Sequence, residues 1–381
     1  MPFYKPTLDR ILMNQGETAH RRVCRRLLDL RAAFRGEATS DGVDPAELAI
    51  PERVDGHLLL ATWNIREFDS TSYGWRNDEA LIYLAEIISR FDLVAVQEVR
   101  RSVNALDRLI QILGDGWQYV VTDLVPYRTG GNYERIAYVY DTRRVKFRGL
   151  AGELSLVPVK NEDGSYHRFA FARDPYVVGF RSEWFKFCLV TVHIMWGDSA
   201  AEYPPRVREI EAVADAVYDR SNSEYAWSNH HILLGDFNIF DTDHVTYEAL
   251  VNRGFRIPVK LQNLPSNVPR TRHYDQIAFM SESIDKLITV DHLECGIFPA
   301  FSIVYRDDEV DSYRADFDDY VDAGDDPADV YSKWRTHQLS DHFPMWIRLR
   351  TDHAEEYLRD HRPTLVRTDV DDQEPGSSDP D

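Results

Sequence analysis

Cysteine is scarce in this 381-residue chain: only Cys24, Cys188 and Cys295 occur, and they are widely separated. They are too few and too scattered for a disulfide framework or a thiolate zinc site, so a reducing compartment is the simpler interpretation. The sequence also lacks a run of about eighteen apolar residues and an apolar stretch before its first charges, which argues against a membrane span and a signal peptide. We therefore expect a cytoplasmic protein.

Basic residues are outnumbered, with 44 Lys and Arg against 64 Asp and Glu, which gives a formal net charge of −20. This balance excludes a basic, histone-like binder, because such proteins depend on attraction between cationic side chains and phosphates. Contact with a nucleic acid would need a local site or a metal ion. The hydrophobic share of 43% is enough for one large domain or two ordinary ones.

The N-terminal part has a helical pattern. Apolar residues recur at helical spacing from Thr7 to about Arg35, which predicts one helix or two with several arginines on the remaining faces. Those arginines could contact a nucleic acid or an anionic membrane surface, could cover an acidic segment further along the chain, or could simply be solvated. Residues 36–56 are rich in Asp, Pro and Gly, which is typical of a linker and predicts a domain boundary near residue 55.

Beyond the linker, short runs of β-branched and apolar residues are bounded by turn residues. Helical patterns lie between some of these runs, so the predicted class is mixed α/β with many strands. The predicted strands are Leu58–Trp63, Leu93–Val96, Ile136–Tyr140, Tyr176–Phe180, Phe185–Val192, Ile232–Leu234, Gln276–Phe279 and Met345–Leu349, and the predicted helices are Asp78–Ser89, Val103–Leu113, Pro205–Tyr218 and His244–Asn252.

Two segments are more acidic than the rest of the chain. Residues 305–335 carry eleven acidic and four basic residues interleaved with Tyr, Phe and Trp, which indicates an ordered acidic insertion. Because this segment enters between Asp275 and Asp341, we expect it near the mouth of any site that those two residues form. Residues 369–381 contain six acids and have no apolar anchor, so we expect this end to be disordered.

Polar residues follow or precede the predicted strands in a repeated manner. Each such residue alone would be an ordinary turn residue, but so long a series is hard to explain by turns alone. The series is Asn64, Glu98, His193, Asp236, Asn238, Asp275, Asp341 and His342. Asn, Asp and Glu oxygens are hard ligands suited to Mg²⁺ or Mn²⁺, and a divalent ion indicates a phosphate-bearing substrate. A His held by a carboxylate is a usual general acid or base near neutral pH.

The segments WNIREFD, DLVAVQEVR, TVHIMWG, LLGDFNIF, YDQIAF and LSDHFPMW resemble the successive motifs of the endonuclease/exonuclease/phosphatase superfamily. The resemblance covers roughly residues 57–350. It implies a four-layer α/β sandwich, two packed mixed β-sheets flanked by helices, here with an N-terminal helical extension. It also implies a metal-dependent phosphodiesterase or phosphomonoesterase. QEVR, NYERIAYVYD, FARDP and YDQI are similar to the deoxyribonuclease I branch.

The domain organisation follows from that resemblance. We expect a helical extension and linker over residues 1–55 and a catalytic domain over 56–350 with an acidic insertion at about 303–335. Residues 351–381 would form an acidic, partly disordered tail.

The resemblance also implies roles for individual residues. Asn64, Glu98 and Asp341 would bind the Mg²⁺ or Mn²⁺ ion. Asp275 would orient His342 as base, and Glu134 would orient His193 as acid. Asp236 and Asn238 would position the nucleophile and the phosphate, and Arg100 and Arg173 would contact phosphates.

Three functions remain open on this evidence. The leading one is a Mg²⁺-dependent endonuclease that cleaves DNA. The second is a phosphatase or phosphodiesterase of the same superfamily acting on an inositol phosphate, a lipid headgroup or a nucleotide, and the third is an inactive member used as a binding module. Trp196, close to His193, either lines the substrate groove or caps the sheet.

Overall fold

The structure is a computed structural model. It describes residues 2–43, 48–125, 132–156, 159–160, 163–164, 166–167, 169–280 and 294–361. The tail predicted to be disordered, residues 369–381, lies outside the described residues.

The strands form two six-stranded mixed sheets and one small pair. In chain order the strands are β1 (His57–Phe68), β2 (Leu93–Val99), β3 (Trp117–Val121), β4 (Arg135–Asp141), β5 (Lys146–Glu153), β6 (Val159–Lys160), β7 (Tyr166–His167), β8 (Tyr176–Ser182), β9 (Phe185–His193), β10 (His231–Asp236), β11 (Phe255–Arg256), β12 (Asp275–Met280), β13 (Cys295–Ile297) and β14 (Met345–Arg350). The first sheet has the order β13-β14-β1-β2-β4-β3 and the second β11-β12-β10-β9-β8-β5, while β6 pairs with β7.

The helices cover the outer faces of the two sheets. They are α1 (Lys5–Phe34), α2 (Asp78–Ile88), α3 (Asn104–Leu113), α4 (Pro204–Ser221), α5 (Val245–Val251), α6 (Val259–Gln262), α7 (Arg314–Phe317), α8 (Pro327–Gln338) and α9 (Ala354–His361), with short 3-10 helices at Ala300–Ser302, Asp307–Tyr313 and Asp318–Tyr320. Every strand and helix predicted from the sequence has a counterpart here. None of the helices in the described ranges has the length and apolar character needed to cross a membrane.

Side chains of β1 alternate between two hydrophobic clusters. Leu58 and Leu60 lie in the cluster between the sheets, whereas Leu59, Ala61 and Trp63 lie in the cluster under the outer helices. This period of two is what a strand buried on both faces requires, because successive side chains point to opposite faces. The two packed sheets and the helices outside them form four layers, so the predicted four-layer α/β sandwich is confirmed.

The N-terminal helix packs on the helices that cover the first sheet. It is one hydrogen-bonded run interrupted at Gly16, whose φ of 86° and ψ of −179° break the helical geometry. Nearly all of α2 is buried, which a helix with apolar residues on every face requires, and α1 contacts it. Arginines of α1 bind acids of α2 in the pairs Arg10–Asp78, Arg22–Glu79 and Arg31–Glu86.

The acidic insertion packs mainly against α1 and α2. Tyr313, Phe317 and Trp334 are buried in the outer cluster, and the Arg26 guanidinium binds Glu309 at 2.6 Å. Some of the α1 arginines therefore cover the insertion, which was one of the open interpretations. Near the strand ends, Tyr320 of the insertion contacts Tyr73 on the loop that follows β1. At the end of α8, just after the insertion, the Thr336 hydroxyl accepts from Arg66 at 2.6 Å.

Candidate active site

The predicted site residues meet at one end of the sandwich. Asn64 pairs in register with Gln97, next to Glu98, at the ends of the parallel strands β1 and β2. Asp236 pairs with His193 in the parallel pair of β10 and β9, and with Asp275 in the antiparallel pair of β10 and β12. Because β1 and β10 lie in facing sheets that contact one another, these strand ends converge.

Backbone conformation at the site is unusual for the residue types present. Glu98 has φ of 61° and Asn238 has φ of 52°, a left-handed region that non-glycine residues rarely occupy. Gly235 directly precedes Asp236, and a Cβ atom there would lie 2.2 Å from the Val192 carbonyl oxygen. Only glycine allows β10 to approach β9 this closely beside the site.

His342 is held by a buried carboxylate. Its Nδ1 atom lies 2.7 Å from Oδ2 of Asp275, which is itself fully buried at the start of β12. Burial lowers the pKa of His342, but the charges of Asp275 and Asp236 overcome this effect and raise the pKa well above its ordinary value. The structure thus brings into contact the two side chains that the family resemblance pairs.

His193 also lies against a carboxylate, and an arginine contacts the same carboxylate. Its Nδ1 atom lies 2.9 Å from Oε2 of Glu134, and Arg173 Nε lies 2.5 Å from the same oxygen. Burial would raise the pKa of Glu134, but His193 and Arg173 lower it to about 2. Burial and Arg173 lower the pKa of His193, whereas Glu134 and Asp236 raise it, and the net shift is upward.

The two imidazoles face a common carboxylate. Oδ2 of Asp236 lies 3.7 Å from Nε2 of His193 and 3.9 Å from Nε2 of His342. Asp236 is almost fully buried, and burial raises its pKa above the ordinary value. Two histidines, each with Nδ1 on a carboxylate, thus present Nε2 toward one small volume. This arrangement can accept a proton on one side and donate one on the other.

Asn64 links the carboxylates of the two sheets. Its amide nitrogen donates to Oε1 of Glu98 and to Oδ2 of Asp236, both at 2.9 Å, while its buried Oδ1 has no hydrogen-bond partner. Burial raises the pKa of Glu98, but the His193 charge and hydrogen bonds from the Glu67 backbone and Asn64 bring the net pKa below its ordinary value. An ionised carboxylate beside an unpartnered amide oxygen fits a hard divalent cation.

Asp341, the third predicted ligand, is more exposed than Asn64 and Glu98. Its side chain is 46% exposed, and Oδ2 is 3.9 Å from Nε of Arg66. Over the described ranges, no group of three or more His, Cys, Asp and Glu side chains is drawn together tightly enough to hold a metal ion. The observation that fits a cation is therefore the unpartnered oxygen of Asn64, whose amide nitrogen contacts Glu98.

The predicted phosphate contacts have protein partners. Arg100 donates to Glu67 at 2.6 Å and to the Asn132 carbonyl at 2.7 Å, and it lies 3.5 Å from Glu134. Arg173 is 8% exposed. Both arginines therefore flank Glu134, a relationship that the sequence did not indicate.

Asn238 is fixed in place by two hydrogen bonds. Its backbone N–H donates to Oδ1 of Asp236 at 2.9 Å, and its side-chain nitrogen donates to the Ile194 carbonyl at 2.8 Å. The amide is thereby oriented beside the residue that both histidines face.

Sequence comparison places the chain among known proteins. Residues 61–342 match the profile of the Endonuclease/Exonuclease/phosphatase family. The chain belongs to this family. A protein named Deoxyribonuclease from Thioalkalivibrio sp. (strain K90mix) is 29% identical over 195 residues, which cover 50% of this chain and 48% of that protein. Deoxyribonuclease-1 of Oryctolagus cuniculus is 30% identical over 210 residues, which cover 52% and 66%.

The chain therefore spans about half to two thirds of the length of these curated relatives. Among solved structures, an endonuclease/exonuclease/phosphatase family protein from Bacteroides thetaiotaomicron aligns over 78% of this chain and 98% of its own, with 19% identity and a TM-score of 0.49.

Residues that brace the family motifs were missed by the sequence interpretation. The buried Ser340 hydroxyl donates to the Asn64 carbonyl at 2.5 Å and accepts from the His342 backbone at 3.0 Å, which ties two strand ends together. Glu209 of α4 is 1% exposed and accepts backbone N–H groups of Ala172 at 2.7 Å and Met195 at 2.8 Å. It thus supports the segments that carry Arg173 and His193. Ser340 could have been found because it lies within the motif segment LSDHFP. Glu209 lies outside every motif segment, so nothing in the sequence marked it.

Proposed function

We propose that this chain is a Mg²⁺- or Mn²⁺-dependent phosphodiester hydrolase, a deoxyribonuclease I-like endonuclease that cleaves DNA. The observation that carries the proposal is the facing arrangement of His193 and His342. Each Nδ1 lies within 3 Å of a carboxylate oxygen, and each Nε2 lies within 4 Å of Asp236. Hydrolysis of a phosphodiester needs a base for water and an acid for the leaving oxygen, and two oriented imidazoles provide both.

Proton transfer is assigned as follows. In its neutral form His342 takes a proton from the attacking water at Nε2, while Asp275 holds Nδ1–H and stabilises the imidazolium that results. The water oxygen bonds to phosphorus, the bond from phosphorus to the leaving oxygen breaks, and Nε2 of His193 gives its proton to that oxygen. Glu134 stabilises the protonated His193 before transfer. Asp236 and Asn238 orient the water and a phosphate oxygen at the meeting point of the two imidazoles.

Asn64, Glu98 and Asp341 are the residues that would hold the ion. The unpartnered Oδ1 of Asn64 and the ionised carboxylate of Glu98 support this assignment. When bound, the ion would neutralise negative charge on the phosphate and polarise it.

DNA as the substrate is supported by similarity to proteins named deoxyribonuclease. Arg100 and Arg173 are the proposed phosphate contacts. One nitrogen of Arg173 makes a long contact of 3.4 Å with the His193 carbonyl, and one nitrogen of Arg100 lies 3.5 Å from Glu134 besides its bond to the Asn132 carbonyl. A phosphate oxygen could replace either long contact.

A second candidate is a phosphatase or phosphodiesterase that acts on a small substrate. Its supporting observation is electrostatic: the chain carries a net charge of −20, and both arginines are already paired with carboxylates. Such a site attracts a polyanion less than a basic surface would. A nucleotide or an inositol phosphate needs fewer cationic contacts.

Plasmid nicking tests the proposal. The purified full chain with Mg²⁺ is expected to convert supercoiled plasmid to open circles and to hydrolyse bis-p-nitrophenyl phosphate faster than p-nitrophenyl phosphate. Preferential cleavage of the monoester without nicking would support the phosphatase candidate. No hydrolysis of any of the three substrates would contradict both.

Two variants purified in parallel serve as controls. His342→Ala is expected to lose nicking, which excludes a contaminating nuclease. His361→Ala alters an exposed histidine of α9 and is expected to keep full activity.

A further inference from the structure

Trp196 presents an exposed indole three residues after His193. Its side chain is 49% exposed, although an indole is among the largest apolar groups available to a core. This exposure favours the interpretation in which Trp196 lines the substrate groove. Half of its surface remains available to a ligand.

The loop that carries Trp196 is held by a buried arginine. Arg206 of α4 is 0% exposed, and its guanidinium donates to the carbonyls of Met195, Trp196 and Asp198. The same guanidinium reaches the carbonyls of Ala200 and Ala201. Fully buried arginine is costly unless all of its donors are used. Here it fixes the backbone of the loop, so the exposed indole stands on a rigid support.

Trp196 is connected to the candidate base through one residue. Its indole lies near enough to the Tyr274 hydroxyl to oppose, in small part, the upward effect of burial on the pKa of that group. The Tyr274 ring stacks on the His342 imidazole with centroids 5.5 Å apart and an interplanar angle of 28°. Tyr274 directly precedes Asp275. The indole therefore lies one aromatic ring away from the proposed base, on the loop that follows His193 at the end of β9.

We propose that Trp196 stacks on an unpaired nucleobase next to the scissile phosphate, so that the preferred substrate is single-stranded DNA. The inference rests on the proposed function and names its substrate class. A base can lie flat on an indole only after it has left its neighbours, which costs least in a single strand.

The charge of the protein favours the same substrate class. At a net charge of −20, attraction to phosphates contributes little to affinity, so contacts with the bases must contribute more. A duplex hides its base faces in the stack and offers Trp196 only sugar and phosphate. A single strand offers each base as an apolar surface.

The kinetic test compares base-bearing and abasic strands. A single-stranded oligonucleotide and one of equal length with tetrahydrofuran in place of every nucleoside sugar and base carry the same phosphates. For Trp196→Ala, the ratio of kcat/KM on the first to kcat/KM on the second is expected to fall about tenfold or more. Trp196→Tyr is expected to keep most of the ratio, because it retains an aromatic face.

Trp184 provides the matched control. It is 50% exposed and precedes β9 at the opposite end of the strand, where it contacts Tyr357. Trp184→Ala is expected to leave the ratio unchanged. Equal slowing of both oligonucleotides by Trp196→Ala would mean that Trp196 only positions Tyr274, and it would overturn the proposal. An unaltered ratio would overturn it as well.

Binding without turnover gives a second measurement. In the His342→Ala background, a strand containing 2-aminopurine is expected to lose fluorescence on binding, and the loss should disappear when Trp196→Ala is added. Quenching that persists would contradict stacking by Trp196. These outcomes are distinct from failure of the proposed function, in which the unaltered chain would cleave neither oligonucleotide nor bis-p-nitrophenyl phosphate.

Discussion

Asp275 and His342 lie 67 positions apart in the chain, yet Oδ2 of the first is 2.7 Å from Nδ1 of the second. The pair depends on a small set of supports. The Asp275 backbone N–H donates to the Ser266 hydroxyl at 3.0 Å, and the Phe343 N–H donates to the Ser266 carbonyl at 2.7 Å. One serine therefore holds both sides of the pair in register.

Asp275→Asn tests this pair directly. The change keeps the size of the side chain but removes the charge that stabilises the imidazolium, so kcat is expected to fall about 10²–10⁴-fold with little change in KM. Steady-state kinetics on bis-p-nitrophenyl phosphate measure both constants. Asp241→Asn removes an exposed carboxylate on the loop after β10 and should have little effect. A fall of less than threefold in kcat for Asp275→Asn would contradict its role.

Glu134 and His193 are expected to act as a unit. Glu134→Gln and His193→Ala should each reduce kcat strongly, and the double variant should be about as slow as the slower single variant. The physical reason is that Glu134 has nothing to orient once the imidazole is gone. A double-mutant cycle measures this coupling. Losses that multiply would show that the two residues act independently.

Metal dependence follows from the unpartnered Asn64 oxygen and the ionised Glu98. EDTA is expected to abolish hydrolysis, and Mg²⁺ or Mn²⁺ should restore it. Added Mg²⁺ should also raise the Tm of the unaltered chain, because an ion that binds only the folded state stabilises it, and the rise should be smaller for Glu98→Gln. Glu356→Gln, on exposed helix α9, is the control. Undiminished hydrolysis in EDTA would contradict the metal assignment.

The strands that deliver the site could be predicted because their signals are local. A short apolar run adjoins each of Asn64, Asp236 and Asp275, and the end of a strand can be predicted from a few consecutive residues. Their association across two sheets is not local. The pairing of Asp275 with His342 came from family resemblance, and the structure shows that their side chains are in contact.

Residues that support the site from outside it could not be predicted, because their contacts join segments that are distant in the sequence. Arg206 reads as one more charge on an amphipathic helix, and only the folded chain brings the loop carbonyls to it. For the acidic insertion, order could be predicted from the sequence but its packing partners could not. Its composition indicated order, but burial of Tyr313 and Trp334 under α1 depends on contacts between segments about 300 residues apart.

Glu134 makes the stability of the fold depend on pH with a defined sign. Its pKa is lowered from 4.5 to about 2, so the folded state binds fewer protons than the unfolded state in that interval. The stabilisation is complete above about pH 4.5 and is lost as the pH falls toward 2. Its full size is about 3 kcal/mol, since one pKa unit corresponds to about 1.4 kcal/mol.

Glu134→Gln should therefore differ most from the unaltered chain near neutral pH, and the difference in the free energy of unfolding should shrink on acidification. Denaturant titrations at several pH values measure it. Glu209→Gln is the control of opposite sign, because burial raises the pKa of Glu209 and its carboxylate costs stability as the pH rises. A gap for Glu134→Gln that stays constant with pH would contradict the assigned pKa.

Arg100 and Arg173 can be tested as phosphate contacts through the dependence of DNA binding on salt. Each phosphate contact contributes about 0.7–0.9 to the slope of log K against log salt, so Arg100→Ala and Arg173→Ala should each reduce the slope by about that amount. Binding is measured in EDTA, so that no strand is cleaved.

Arg181→Ala is the control, since Arg181 lies near the end of β8 that is remote from the site, where it donates to the Glu183 carbonyl. If both slopes stay unchanged while both variants lose activity on a small phosphodiester, the arginines serve only as partners of Glu67 and Glu134. The small-substrate candidate would then be favoured over DNA, because the site would have lost its proposed contacts with a polyanion.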